Sequence, residues 1–152
     1  LLPNRIIFLG DVFHDNLAFD RLKTKEKKLF KDILKKNVIW VKGNHDNSFK
    51  YVNIKTYTSY KLKNFIFSHI SNKKNKLEIS AHYHPKVTFK FKGTKVSKPC
   101  FLIDKEKIIL PAYGAYTGGL NISSDIYKNL FLNDYQIYAL GNTKVLKIEK
   151  KF

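Results

Sequence analysis

Ile6-Ile7-Phe8-Leu9-Gly10-Asp11 and, further along, Val38-Ile39-Trp40-Val41-Lys42-Gly43-Asn44-His45-Asp46 decide the fold. Each begins with four apolar residues and closes on a glycine and a polar cluster, the pattern of a buried parallel strand running into a loop. Between them Phe19, Leu22, Leu29, Phe30, Ile33 and Leu34 fall near one face of a 3.6-residue repeat, with lysines interspersed. That spacing predicts one amphipathic helix from Leu17 to Lys36. Strand, helix, strand is a βαβ unit, and ligands in such sheets gather at the carboxyl ends of the strands. Both polar clusters sit there.

Working outward, Phe65-Ile66-Phe67 predicts a third strand, which delivers Ser68-His69. A Lys/Asn-rich stretch from Asn72 to Lys76 reads as a solvated loop able to brush phosphate, and it leads to Ile79-Ser80-Ala81-His82-Tyr83-His84-Pro85. Beyond Pro85 the pattern becomes a strand meander. Val87 to Phe91 alternates, Phe101-Leu102-Ile103 and Ile108-Ile109-Leu110 flank a turn, and Val145-Leu146-Lys147-Ile148 closes the pattern, so this half predicts a second sheet. Trp40 and Cys100 are expected in the core. With no repeat, linker or boundary in its 152 residues, the chain is expected to be a single α/β domain, 1–152.

Composition narrows the class. Hydrophobic residues make up 43% and charged residues 27%, values of an ordinary globular chain. No apolar run approaches the roughly 20 residues of a membrane span. The one cysteine, Cys100, rules out an internal disulfide framework and a Cys-rich zinc site, and a reduced, cytoplasmic setting is expected. The chain has no methionine and opens on Leu1-Leu2-Pro3, so a translation start is expected upstream. Lys+Arg is 29 against Asp+Glu 12, a formal net charge of +17 that favours polyanionic partners, nucleic acid first. Only Arg5 and Arg21 are arginine, and the abundance of Lys, Asn, Ile, Phe and Tyr is also what an AT-rich coding sequence produces.

Histidine occurs at 14, 45, 69, 82 and 84, each time in a loop after an apolar run. His82-x-His84 would set two imidazoles on one side of an extended segment, suited to adjacent metal ions. Taken singly, Asp11 reads better as a turn or helix-cap residue, Asn44 as a turn residue, and the histidine pair as solvated or core. As an ordered set, Gly10-Asp11-Val12-Phe13-His14, Gly43-Asn44-His45-Asp46, Ser68-His69 and Ala81-His82-Tyr83-His84 resemble the calcineurin-like metallophosphoesterase superfamily. Its pattern is D-x-H, GD-x-x-(D/H), GNH-(D/E), a lone His and GH-x-H. The last four are present across residues 6–85, and His14 in the second motif resembles the nuclease branch. Pro99-Cys100-Phe101 and Leu110-Pro111-Ala112-Tyr113-Gly114-Ala115-Tyr116-Thr117-Gly118-Gly119 resemble the tail of the bacterial ligase-associated DNA-damage-response members. That tail is expected to be a core strand entering a glycine turn rather than a rim touching substrate.

The resemblance implies a metallophosphoesterase-type four-layer β-sandwich flanked by helices, with its first strand and D-x-H motif upstream of Leu1. It implies two divalent metal ions, Mn²⁺ first, with Fe or Zn²⁺ also suited to nitrogen and oxygen donors. Asp11 would bridge them, Asn44, His69 and His82 would complete one, and His84 would serve the other. A bridging hydroxide would attack phosphorus, and His45 would protonate the leaving oxygen. Asp46 would orient the His45 ring, and His14 would touch the scissile phosphate. Without the D-x-H ligands, the 152-residue chain is expected to hold one metal better than two, to be weakly active or inactive, and to leave an apolar sheet edge unpaired. Ala81 in place of the motif glycine is tolerable if its φ is negative.

Kinship implies a DNA ligase and a helicase as partners in a repair setting. Three functions follow in order: a DNA-repair phosphodiesterase or nuclease, a phosphatase or nucleotide phosphoesterase of the same fold, and a non-catalytic nucleic-acid-binding relic. The intact set of site residues argues against the last.

Overall fold

The apolar runs ending at Gly10 and Gly43 pair side by side. β1 (Ile6–Phe8) and β2 (Val38–Val41) are parallel, with Ile6 opposite Val38 and Phe8 opposite Trp40. β3 (Thr56–Tyr57) adds a parallel strand beyond β2, which leaves β1 at one edge of this three-stranded sheet. The computed structural model describes residues 3–15, 17–46, 54–114 and 117–149, so Leu1 and Leu2, and Ala115 and Tyr116 of the tail, lie outside the described residues.

The single predicted helix is two, α1 (Ala18–Arg21) and α2 (Thr24–Leu34). Leu22 and Lys23 between them are extended, and the Glu26 carboxylate accepts the Lys23 backbone N–H at 2.8 Å, satisfying a donor that opens α2. The break also resets the helical phase. Phe30, Ile33 and Leu34 face inward, whereas Leu29, expected on the apolar stripe, is exposed. Phe8, Phe13, Phe19, Phe30 and Trp40 form an aromatic cluster over the sheet, with Phe13–Phe30 centroids 5.0 Å apart and Phe8–Trp40 5.4 Å. Such ring pairs add to burial, which is worth about 1.5–3 kcal/mol for a fully buried large side chain and here is near complete for Phe19 and Trp40.

The second sheet starts earlier than the sequence pattern suggested. It comprises β4 (Ser59–Leu62), β5 (Phe65–Ser68), β6 (Glu78–Ser80), β7 (Lys86–Phe91), β8 (Thr94–Ile103), β9 (Lys107–Ile109), β10 (Gln136–Leu140) and β11 (Val145–Ile148). The order is β11-β10-β8-β9-β6-β5-β4, with β7 paired to β8. β5, β6 and β9 run parallel, so β5 and β6 release their loops on the same side. The helix α3 (Asp125–Leu130) buries Tyr127 and Leu130 against Val87, Cys100, Leu102, Ile109 and Ile137. Burial pushes the Cys100 thiol up to about 12, which leaves it an inert core group. Among the described residues no helix is long and apolar enough to cross a membrane.

Candidate metal centre

Four strand ends build the site. β1 delivers Asp11 and β2 delivers Asn44, His45 and Asp46, while from the second sheet β5 delivers His69 and β6 delivers His82 and His84. The two sheets are tied here, because His69 Nδ1 donates to the Leu9 carbonyl at 2.6 Å across them. That bond fixes the imidazole so that its Nε2 lone pair is the free ligand atom. Around Nε2 lie Asn44 Oδ1 at 2.9 Å, His82 Nδ1 at 3.0 Å and Asp11 Oδ2 at 3.1 Å.

Lone-pair atoms so crowded repel one another unless a proton or a cation lies among them. Asp11, His69 and His82 place one ligand atom each within 4.8 Å of the others. This mixed oxygen and nitrogen set fits a divalent transition metal.

Two glycines make room for the cluster. A Cβ at Gly10 would come 2.6 Å from His69 Nδ1 and 2.5 Å from the Gly43 nitrogen, and one at Gly43 would collide with Asp11. The loops after β1 and β2 therefore meet backbone to backbone. Gly10 and Asp11 have φ of 84° and 50°, a pair of left-handed residues that turns the Asp11 carboxylate into the site. His45 donates its backbone N–H to Asp11 Oδ1 at 2.8 Å, leaving Oδ2 for the cluster.

Asp46 sits beneath this loop and not against the His45 ring. Its Oδ2 accepts from the Gly43 N–H at 2.8 Å, the Asp11 N–H at 3.0 Å and Trp40 Nε1 at 3.0 Å, and among the described hydrogen bonds none joins it to His45. What does face His45 is His14, stacked on it with ring centroids 4.9 Å apart, and both are exposed at the rim.

The extended geometry expected of His82-x-His84 is replaced by a tight turn. Tyr83 donates its N–H to the Ala81 carbonyl at 2.7 Å, closing a three-residue turn on His82 at φ 59°, and His84 follows at φ 46°. Such backbone is uncommon outside glycine and is held by its surroundings. Ala81 itself is not among the positive-φ residues, which meets the condition for its methyl group. His84 stands outside the Asp11–His69–His82 group. Burial, then the neighbouring imidazoles, lowers the pKa of both His82 and His84, favouring the neutral, ligating form.

Two parts of the surroundings escaped the sequence pattern. Glu78 and Lys107 form a buried ion pair at 3.1 Å, with side-chain exposure of 0% and 2%. Ser68 Oγ and Ser71 Oγ donate to Glu78 at 2.8 and 2.7 Å, bracketing His69. Asn75 donates to the same carboxylate, and the Asn72 and Asn75 carbonyls accept from Lys107. The loop is exposed at Asn72, Lys73, Lys74 and Lys76, as a solvated loop should be, and beneath it lies a charged core.

Of the tail, Pro99-Cys100-Phe101 lies in the core strand β8 with Cys100 buried, while 110–114 and 117–119 form no strand. Leu120 pairs its N–H with the Tyr83 carbonyl and its carbonyl with Lys86, holding Gly119 against the His84 backbone, while Tyr113 and Gly114 are exposed. Beside His84 a cavity of about 430 Å³ opens under this strap.

The calcineurin-like phosphoesterase family profile matches residues 3–146. The crystal structure of a Pseudomonas putida nuclease MPE superposes with a TM-score of 0.72 at 25% identity, covering 95% of this chain and 71% of that one. No curated protein matches the chain significantly.

Proposed function

We propose, for a chain that belongs to the calcineurin-like phosphoesterase family, that the reaction is metal-dependent hydrolysis of phosphodiester bonds in nucleic acid. The fold is the metallophosphoesterase α/β sandwich, shared with a nuclease. The observation that carries the reading is the convergence of Asn44, His82 and Asp11 on His69 Nε2. The formal net charge of +17 supports a polyanionic substrate over a small monoester.

Asp11, Asn44, His69 and His82 would hold the first divalent cation, and His84 with Asp11 would serve a second. Bound there, divalent ions supply an acidified water and neutralise charge on the phosphoryl oxygens. The chain's own residues do the rest. The Leu9 carbonyl keeps a proton on His69 Nδ1 and so keeps Nε2 open. The backbone bond from His45 to Asp11 fixes the distance between the rim imidazole and the ligand cluster. From the rim, the His45 ring delivers a proton to the leaving oxygen, and His14, stacked on it, contacts the phosphate.

The test compares bis(p-nitrophenyl) phosphate, p-nitrophenyl phosphate and single-stranded DNA with Mn²⁺ present. Cleavage of the diester and of DNA, abolished by EDTA and by Asp11→Asn, is expected. Faster turnover of the monoester would favour a phosphatase instead.

A further inference from the structure

We propose that the cavity beside His84 is a subsite for the nucleotide adjoining the cleaved bond of a single-stranded nucleic acid, with Lys86 meeting its phosphate and Tyr113 stacking on its base. The proposal rests on the nuclease reading above and adds to it which strand form is taken and which residues take it.

The cavity, about 430 Å³, lies in the range that accommodates a small ligand. His84 forms part of its wall, so whatever enters is next to the candidate metal centre. Among the described residues that line it, none is acidic. Lys86 brings an ammonium group, Ser97 and Thr117 bring hydroxyls, and Pro99 and Leu140 supply an apolar surface, while Lys98, paired with the core residue Val87, turns its side chain to the other face of β8. A cation beside an apolar surface matches an anion that carries a ring.

Tyr113 strengthens that match. Its relative exposure is 107%, as open as a tyrosine can be, although it lines a concavity. Leaving an aromatic ring in water forgoes burial that the neighbouring sheet could have offered. Gly114 and Thr117 near it are nevertheless braced. Thr117 donates its N–H to the Gly114 carbonyl at 3.2 Å, a Cβ at Gly114 would come 2.5 Å from Thr117 Oγ1, and Lys86 Nζ donates to the Thr117 carbonyl at 3.3 Å. An exposed ring beside a lysine is a stacking platform of the kind that single-stranded nucleic acid uses. Bases in a duplex are already stacked on each other and cannot enter a concavity of this size.

The experiment measures fluorescence anisotropy of a labelled oligo-dT on the full chain in EDTA, so that binding is read without turnover. Tyr113→Ala is expected to weaken affinity on the order of tenfold, and Tyr113→Phe to retain it. Lys86→Ala is expected to lower the slope of log affinity against log salt by about 0.7, the share of one phosphate contact on a single strand. Lys61→Ala removes an equal charge from exposed β4 and should leave affinity unchanged. The proposal is overturned if Tyr113→Ala and Lys86→Ala bind as the parent does, or if a duplex of equal length binds as tightly as the single strand. Hydrolysis of bis(p-nitrophenyl) phosphate by the parent protein separates the two readings. A parent that cleaves the diester but binds no oligonucleotide keeps its phosphodiesterase assignment and loses the subsite. One that binds through Tyr113 and Lys86 but cleaves no diester keeps the subsite and loses the nuclease assignment.

Discussion

Trp40 donates its indole N–H to Asp46 Oδ2 at 3.0 Å, joining the aromatic core to the loop that carries Asn44 and His45. The same oxygen accepts the Gly43 and Asp11 backbone N–H groups, so one carboxylate holds both loops of the centre. Asp46→Ala strands three donors, at about 1–3 kcal/mol for each that stays buried and unpaired. Urea unfolding should show a loss of about 3 kcal/mol or more, and Asp46→Asn, which keeps one carbonyl oxygen, a smaller loss. An Asp46→Asn protein with parental stability and lost turnover would instead mark the residue as a partner of the His45 ring.

Gly43→Ala should abolish tight metal binding, because the added Cβ collides with the Asp11 carboxylate and comes 2.5 Å from the Asp11 nitrogen. Calorimetric titration with Mn²⁺ checks this, and a parental binding isotherm would show that the loops can part without cost.

The same titration on the parent chain should give one tight ion. His69→Ala or His82→Ala should remove it and His84→Ala should leave it, since His84 lies outside the close group. Two tight ions of equal affinity would contradict this.

Acid should unfold the protein through Glu78. Burial alone would raise its pKa, but hydrogen bonds from Ser71, Asn75 and Ser68 and the Lys107 ammonium bring it below the ordinary 4.5. A carboxyl with a lowered folded-state pKa contributes stability fully above pH 4.5, and that contribution is lost as pH falls through the folded value. Urea midpoints measured from pH 6 to pH 3 should decline more steeply in the parent than in Glu78→Gln. Lys107→Met, which leaves Glu78 buried and unpaired, should cost about 3–5 kcal/mol at neutral pH.

How much of this was legible depended on how locally each feature is determined. The wholly apolar runs at β1 and β2, and the polar residues at their ends, announced parallel strands and a site at their tips, because burial on both faces needs just such runs. β4 and β10 escaped notice: Ser59 to Leu62 and Gln136 to Leu140 mix polar and apolar residues, and their pairing is set by distant neighbours. The break before α2 was hidden because Lys23 is a poor capping residue, and only the reach of Glu26 back to its N–H reveals it. Within the centre, residue types were readable but directions were not. Nothing near Asp46 in sequence says that it turns toward Trp40, and nothing in His82-Tyr83-His84 says that the backbone is left-handed.

That left-handed backbone at His82 and His84 makes cation capture a property of the folded chain alone. An unfolded chain rarely visits such angles, and in it Asp11, Asn44 and His69 are scattered. Any ion that binds the native cluster and not the unfolded chain therefore shifts the folding equilibrium by mass action, raising the melting temperature with its concentration. Heat resistance thus becomes a gauge of metal occupancy, readable without substrate and without turnover.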